Sequence, residues 1–312
     1  MPQTLWTLPN FSGELFTADM INTPVFTMIG GLTNGGLQTA NFQFPTSSNY
    51  AFPGAAQPNI TEDASITAPA TTAAVRTQVD NVAQIFHQAV RVTYEKLSNS
   101  GRLQGINTAG QSNNVADELA FQIGYNLKII ARNIENTILN GVYNLSTASD
   151  VANRSRGLIA TTLLGGSTRI DATGDPLSRD LMQTLFRTMF GNGAMFQTPV
   201  IMVNGLQKQR LSDIYGFAPT DRNVGGINIQ QIETDFGLIG VAPAHRFMPN
   251  DGLLLADMSV VAPVFQPVPD KGNFFYEELA KTGAVESGQI YGKFGLDHGP
   301  AFAHGYLTDL AV

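Results

Sequence analysis

The most regular apolar pattern along the chain lies between residues 115 and 140. Its apolar positions recur at steps of three or four, which keeps them on one stripe of an α-helix: Leu119, Ile123, Leu127, Ile130, Ile134 and Ile138. Asn113 or Asn114 is the expected N-cap, and Arg132 and Glu135 are spaced to pair across one turn. At 1.5 Å per residue the predicted helix is about 40 Å long, more than most compact domains require. We therefore interpret it as a structural spine.

Shorter patterns around this helix predict a mixture of strands and helices. Val90, Val92 and Tyr94 alternate with polar residues, which predicts a strand at least over 89–95, whereas three- and four-residue steps just upstream leave a helix as the alternative there. Glycine, proline and asparagine divide the rest of the chain into short elements. The other predicted elements are a helix over 177–190, a buried strand over 199–205, a helix over 206–215, strands near 227–232, 238–241, 253–255 and 260–265, and extended stretches around Ile290 and Leu307.

Residues 1–75 show no apolar period longer than a helical turn. They are rich in Thr, Asn, Pro and Gly, with short apolar pieces such as Pro24 to Ile29 and Phe42 to Phe44. A disordered tail is one interpretation of such a segment. Because it has little core of its own, we favour the other interpretation, in which it lies across a neighbouring subunit rather than on its own core.

Charge is scarce in this chain and unevenly placed. Charged residues make up 14% of the sequence, against about 25% in ordinary soluble domains, and hydrophobic residues make up 43%. The first basic residue is Arg76, so residues 1–75 hold −4 of the net charge of −7. A surface so poor in charge suits a protein that is packed against copies of itself.

The same composition excludes several classes of protein. Residues 1–75 lack the basic region and apolar core of a secretory signal, and they lack the basic side chains of an arm that neutralises nucleic acid. No stretch approaches the ~20 apolar residues of a membrane-spanning helix. Without cysteine, the chain has no disulfide framework, no thiolate zinc site and no Cys nucleophile.

The polar residues give no convincing catalytic or metal site. Of the four histidines, only His298 and His304 are close in sequence, and Gly299–Pro300 between them prevents a helical metal-binding pair. Asp235–Phe236–Gly237 matches a kinase triplet, but the accompanying kinase motifs are missing, so it predicts a hairpin turn. The glycines within 30–36 lack the spacing of a phosphate-binding loop. We therefore expect no catalytic residue, no metal and no cofactor.

From residue 81 onward, five segments follow one another in an order that is found in a known protein family. The segments are NVAQIFHQAVRVTYEKLSNSGRLQG, ELAFQIGYNLKIIARNIENTILNG, PVIMVNGLQKQRLSDIYG, IETDFGLIGVAPAHRFMPNDGLLLAD and ELAKTGAVESGQIYGKFGLDHGPAFAHGYLTDL. The series resembles the major capsid proteins of tailed bacteriophages that share the Hong Kong 97 capsid fold. The resemblance covers about residues 76–312 and depends on the order of the segments rather than on one motif.

This resemblance implies an α+β fold with four parts. They are an N-terminal arm at 1–40, an extended two-stranded loop at 41–80, a peripheral domain at 81–165 and 266–312 that contains the spine helix, and an axial domain at 166–265. The expected inter-subunit contacts are Arg76 and Arg91, the first basic residues after the acidic arm, together with Phe42 and Phe44 of the loop. Some relatives link subunits covalently through a loop lysine. Because residues 1–75 contain no lysine, we expect no such link here.

The implied function is that of a structural major capsid protein rather than an enzyme. Copies would form pentamers and hexamers of an icosahedral head that encloses the double-stranded DNA of a tailed phage without sequence-specific binding. The implied partners are further copies of the chain, portal and scaffolding proteins and, in some relatives, a decoration protein, with no membrane. The implied location is the virion, after assembly in the bacterial cytoplasm. The alternatives are an encapsulin-like nanocompartment shell with the same fold, and a soluble two-domain enzyme or carbohydrate-binding module with its site in 225–265.

Overall fold

The computed structural model describes residues 22–31, 36–51, 54–69, 71, 73–98, 117–215, 222–224, 227–244 and 247–312. Within these ranges the helices are α1 (Pro24–Met28), α2 (Glu62–Ser65), α3 (Tyr94–Ser98), α4 (Glu118–Asn140), α5 (Leu158–Thr161), α6 (Arg179–Gly191) and α7 (Gly205–Tyr215). The strands are β1 (Leu37–Gln38), β2 (Gln43–Tyr50), β3 (Arg76–Val82), β4 (Gln84–Thr93), β5 (Thr168–Asp171), β6 (Pro199–Val203), β7 (Arg222–Val224), β8 (Ile227–Thr234), β9 (Gly237–Pro243), β10 (Leu253–Asp257), β11 (Ala262–Phe265), β12 (Phe274–Glu278), β13 (Val285–Asp297) and β14 (His304–Thr308).

Two sheets form the body of the molecule. In the seven-stranded sheet the order is β5-β14-β10-β6-β9-β8-β7. In the five-stranded sheet the long strand β13 pairs with β4 along one edge and with β11 and β12 along the other, and β1 joins β11 in parallel. Separate from both, β2 and β3 form an antiparallel two-stranded ladder.

One apolar cluster connects the long helix to both sheets. It contains buried residues of α4, of β4 and β13 in the five-stranded sheet, and of β6 and β10 in the seven-stranded sheet. A second cluster lies between α6 and the seven-stranded sheet and includes Leu185, Phe186, Ile201 and Leu255. The strands that are buried on both faces, Pro199–Val203 and Leu253–Asp257, are the continuous apolar runs of the sequence.

The predicted spine helix is confirmed as α4. Its apolar stripe becomes more buried toward the C-terminal half, where Ile130, Ile134 and Ile138 are inaccessible to solvent. Asn113 and Asn114 lie outside the described residues. The N-cap is instead Asp117, whose side chain accepts hydrogen bonds from the backbone N–H groups of the two residues at 119 and 120, at 2.9 and 3.2 Å. The acidic residue thus closes the helix N-terminus through both hydrogen bonding and charge.

The strand predicted over 89–95 is confirmed as far as Thr93, after which Tyr94 begins α3. The helix considered as the alternative upstream is wrong, because β3 and β4 run through that region. Pairing between distant strands favours the strand over the helix here. Strand β4 pairs with β13 at ten consecutive positions, from Gln84 to Thr93, and this pairing stabilises the strand more than the local helical spacing of apolar residues would stabilise a helix. The helices predicted over 177–190 and 206–215 occur as α6 and α7.

Two expectations, one from composition and one from the resemblance, differ from the observed packing. Part of the N-terminal segment does pack on its own core: Val25 and Phe26 of α1 are buried beside α4, and β1 pairs with β11. The C-terminal return does not belong wholly with the spine helix, since His304–Thr308 lies between β5 and β10 in the seven-stranded sheet. Among the described helices, none is long and apolar enough to cross a membrane.

Candidate functional site

The most exposed folded element is the loop formed by β2, β3 and the residues between them, here called the extended loop (43–82). Its ladder runs from Gln43 opposite Val82 to Tyr50 opposite Arg76, about 23 Å at 3.3 Å per residue. Beyond the ladder, every described residue from 54 to 75 is exposed. This part of the chain is built outward from the body and is not covered by it.

The outer part of the extended loop combines regular structure with exposed apolar side chains. Thr61 caps α2 by accepting a hydrogen bond from the N–H of Ala64 at 3.2 Å, and two acidic residues occupy the first turn. Ile60, Ile66 and Val75 are nevertheless 69%, 81% and 75% exposed. Burying one such side chain is worth about 1.5–3 kcal/mol, so a surface of this kind favours association with another protein surface.

The structure separates the four residues predicted to make inter-subunit contacts. Arg76 lies at the outer end of the β2–β3 ladder, Phe42 lies at its inner end, and Arg91 lies on the exposed face of β4. These three are exposed and remain predicted contacts. Phe44 is a correction: it is 6% exposed, and it packs with Ala83 and Val264 over Gly295 of its own subunit. As the inward-facing residue of its strand, Phe44 fixes the loop to the body.

A buried asparagine holds the inner end of the extended loop. The side chain of Asn81 donates to the carbonyls of Leu296 and Arg156 at 2.7 and 3.1 Å, and its oxygen accepts from the N–H groups of Val82 and Arg156 at 2.9 and 2.7 Å. A single side chain therefore joins β3, β13 and the segment before α5. All four hydrogen-bonding positions of the amide are used, as a buried polar group requires.

Two buried histidines lie next to this attachment point. His298 Nε2 lies 3.3 Å from Thr46 Oγ1 of the extended loop, and His304 Nε2 donates to the carbonyl of His298 at 2.6 Å. Burial lowers the pKa of His298 to about 4, and burial also lowers the pKa of His304. Both rings are therefore neutral structural groups near neutral pH. In the part of the chain that the structure describes, no three His, Asp or Glu side chains are grouped to hold a metal, and His245 lies outside it.

The residue that sequence reasoning placed most wrongly is Glu135. It does not pair with Arg132; it is fully buried, and its two oxygens accept the N–H groups of Val25 and Phe26 at 3.0 and 2.7 Å. Burial raises the pKa of Glu135 to about 7, and the two N–H groups oppose the rise. The predicted stripe gave no signal for this burial, because Glu135 directly follows Ile134 and therefore lies about 100° around the helix from it, beside the stripe rather than in it.

The kinase-like triplet is a turn, as predicted. Asp235–Phe236 connects β8 to β9, and Gly237 has a φ of 111°, in the left-handed region that favours glycine. Beside the turn lies an open groove of about 330 Å³ with Arg179, Glu233 and Asp235 among its lining residues. All three charged side chains are exposed, so the groove lacks the desolvated acid–base pairing of a catalytic centre.

Comparison with known proteins gives one family and one fold. A family model described as SU10 major capsid protein matches residues 1–311. No curated protein sequence matches the chain. The capsid asymmetric unit of cyanophage A-1(L) is similar at a TM-score of 0.65 and 14% identity, with coverage of 100% of this chain and 99% of that chain.

Two further structures share this architecture. The capsid of a native GTA particle has a TM-score of 0.60 at 10% identity, covering 100% of this chain and 98% of its own. The holo-SrpI encapsulin complex of Synechococcus elongatus PCC 7942 has a TM-score of 0.57 at 13% identity, covering 97% and 92%. At such identities the likeness concerns the fold alone.

Proposed function

This chain belongs to the SU10 major capsid protein family, and from that premise we propose that its copies form the pentamers and hexamers of an icosahedral head around double-stranded phage DNA. It is a structural protein of the virion, with the Hong Kong 97-like capsid fold. Its work is self-assembly into a shell. The family to which it belongs implies a structural rather than an enzymatic role.

The observation that carries the proposal is the exposed outer part of the extended loop. A ladder of about 23 Å holds a capped helix and three exposed apolar side chains away from the body of the subunit. A monomer gains nothing from this arrangement, because none of that area is buried on its own core. We propose that the outer part of the loop lies on a neighbouring subunit, which buries Ile60, Ile66 and Val75.

Closed shells also require the same subunit in rings of two sizes, so the contacts between subunits must be heterologous and adaptable. A projecting loop attached at one end meets this need, because its tip follows the neighbour while its inner end stays fixed at Asn81 and Phe44. We propose that Arg76, Arg91 and Phe42 make contacts across these boundaries. Exposed ion pairs contribute only about 0–1 kcal/mol each, so the arginines would set register more than strength.

The remaining partners follow from the same premise. We propose that portal and scaffolding proteins take part in assembly in the bacterial cytoplasm, and that a decoration protein is an optional addition to the finished head. The net charge of −7 suits a wall that encloses DNA without binding it, since mild repulsion extends only about 8 Å at physiological salt. An encapsulin-like shell is the alternative with the same fold, and its lumen would hold a protein cargo instead.

Size and content of the purified particles test the proposal. Light scattering and negative-stain images of the expressed full chain should show closed shells or their ring-shaped capsomers, and denatured particles should run as one band near 33.5 kDa. A stable monomer or dimer would contradict the shell, and a ladder of multiples would contradict non-covalent assembly. If particles purified from the native host contain a protein cargo and no DNA, that result would support the encapsulin alternative.

A further inference from the structure

The short helix α1 begins without a cap of its own. Pro24 has no N–H group, and the Thr23 side chain forms no capping hydrogen bond. The next two donors, the N–H groups of Val25 and Phe26, would be buried without acceptors if they had only local partners. Each instead donates to one oxygen of Glu135, at 3.0 and 2.7 Å, across 110 and 109 positions of sequence. The spine helix therefore caps the N-terminal segment from outside.

The capped segment lies at a junction between the two sheets. Helix α1 contacts α4 on one side and strands β8 and β9 of the seven-stranded sheet on another. Val25 is fully buried, and the Phe26 ring meets the Phe294 ring of the five-stranded sheet edge-on, with centroids 5.9 Å apart. We call Thr23–Met28 the wedge segment, because it fills the space between the spine helix and the β8–β9 hairpin.

Shape alone does not select the position of the wedge segment. Apolar contacts such as those of Val25 and Phe26 have no preferred direction, so they allow small shifts along an apolar surface. Two hydrogen bonds to one carboxyl group, in contrast, fix both the distance and the orientation of α1 relative to the spine helix. Glu135 is itself held rigidly, since it lies in the last two turns of α4 with Ile134, Ile138 and Leu139 buried around it. Among the residues that the structure describes, the two N–H groups are the hydrogen-bond donors to Glu135, and they offset the cost of burying its carboxyl group.

We propose that Glu135 is a positioning residue that docks the wedge segment between the spine helix and the seven-stranded sheet. The carboxyl group acts as a latch whose loss frees the N-terminal segment while the two sheets and the spine helix stay folded. This docking is a property of one subunit, and it holds whether or not the loop contacts proposed above are correct. It also gives the N-terminal segment a defined attachment point, at α1, on the core of the subunit.

Two substitutions separate docking from simple packing. Glu135→Gln keeps size and shape but replaces one acceptor oxygen with an NH2 donor, which faces a backbone N–H and cannot accept from it. Glu135→Leu removes both acceptors and the buried carboxyl together, and an apolar side chain of similar volume takes their place, so the N–H groups of Val25 and Phe26 lose their partners without a large change in shape. Glu118→Gln is the matched control, since that residue lies on the same helix and its side chain accepts a hydrogen bond from the Gln122 side chain one turn away.

Hydrogen exchange followed by mass spectrometry on the full chain is the test. Loss of one or two net hydrogen bonds predicts that a peptide covering 22–31 exchanges about tenfold faster in both Glu135 variants. The peptide covering 253–257 should keep its protection, because the two sheets and the spine helix stay folded in both variants. The control should match the wild type at every peptide.

The outcomes are distinguishable. Unchanged exchange at 22–31 in the folded Leu variant would overturn the latch, as would loss of protection spread evenly over the whole chain, which would indicate a merely structural role. If Glu135→Gln fails to fold, the Leu variant alone decides. Shell formation is measured separately by electron microscopy, so the hydrogen-exchange result can be interpreted even if the assembly proposal is wrong.

Discussion

At the scale of single residues, three buried titratable groups give the subunit opposing responses to pH. Burial lowers the pKa of His298 to about 4 and lowers that of His304, so both rings bind fewer protons in the folded state than in the unfolded state. Their contribution to stability is present above the ordinary histidine pKa and is lost as the pH falls. Burial raises the pKa of Glu135 from 4.5 to about 7, so its contribution is present below 4.5 and is lost as the pH rises through 7.

The Glu135 contribution is measurable as a difference between two proteins. Between pH 4.5 and 7 the folded wild type holds a proton on Glu135 that the unfolded chain has released, which costs stability with rising pH at about 1.4 kcal/mol per unit. Glu135→Leu lacks this loss. The free energy of unfolding of the variant, relative to the wild type, should therefore increase with pH across that window and stay level outside it. Urea unfolding of unassembled subunits at a series of pH values checks this, and a flat difference would contradict it.

Residues such as Phe44, Glu135 and Asn81 mark what the sequence could not predict at this scale. Phe44 and Phe42 are equally apolar and two positions apart, and only pairing with β3 and packing over Gly295 decide that Phe44 is the buried one. Glu135 lies beside the predicted apolar stripe, and nothing near it in the sequence reveals that its partners are 110 and 109 positions away. Asn81 has no local signal, because its partners at 156 and 296 come from distant parts of the chain.

At the scale of elements, the end of the spine helix depends on two glycines in close contact. A Cβ atom at Gly141 would lie 2.4 Å from the carbonyl oxygen of Ser155 and 2.5 Å from that of Thr137. A Cβ atom at Gly157 would lie 2.6 Å from the backbone nitrogen of Gly141. The N–H of Gly157 donates to the carbonyl of Gly141 at 2.8 Å, so the returning chain crosses the helix end at backbone distance. Backbone atoms cannot move aside cheaply, so the crossing tolerates no side chain.

Two glycine-to-alanine changes, one at the C-cap of the spine helix and one within the helix, should have opposite effects. Gly141→Ala forces a methyl group into backbone atoms and should lower the free energy of unfolding by about 1–3 kcal/mol. Gly124→Ala lies on the same helix, where a Cβ meets nothing within 4 Å, and should raise it by about 1 kcal/mol through helix propensity. Chemical unfolding of both variants makes the comparison, and equal effects would show that the crossing is not tight.

Elements were predictable where one period dominates over many residues. The spine helix has six apolar positions in register, and the fully buried strands are short apolar runs between Pro and Gly. The course of residues 76–93 was ambiguous, because a helical period and a strand alternation overlap there and β13 decides between them. The sheet membership of β14 could not be predicted from the sequence, since a five-residue strand such as HGYLT fits either sheet until its neighbours are known.

At the scale of the whole molecule, scarcity of charge and exposure of apolar side chains coincide. The chain has no basic residue before Arg76, and within those residues the outer part of the extended loop is exposed along its whole described length. A free subunit would be poorly solvated there, and the proposed shell would cover that surface at every copy. The scarcity of charge is most marked over residues 1–75, and the rest of the chain carries all of the basic side chains.

Charge placed on the loop should therefore prevent assembly without unfolding the subunit. Ile60→Asp puts a carboxylate on a side chain that is 69% exposed in the subunit and, in the proposed shell, buried against a neighbour. The variant loses about 1.5–3 kcal/mol of apolar burial and must also desolvate a charge, and the penalty recurs at every copy. Val142→Asp, at a residue that is 68% exposed on the body just after the spine helix, is the matched control. Both variants should unfold at the wild-type urea midpoint. Electron microscopy should show shells for the control and only subunits or isolated rings for Ile60→Asp. Normal shells from Ile60→Asp would place the loop tip outside the contacts that close the head.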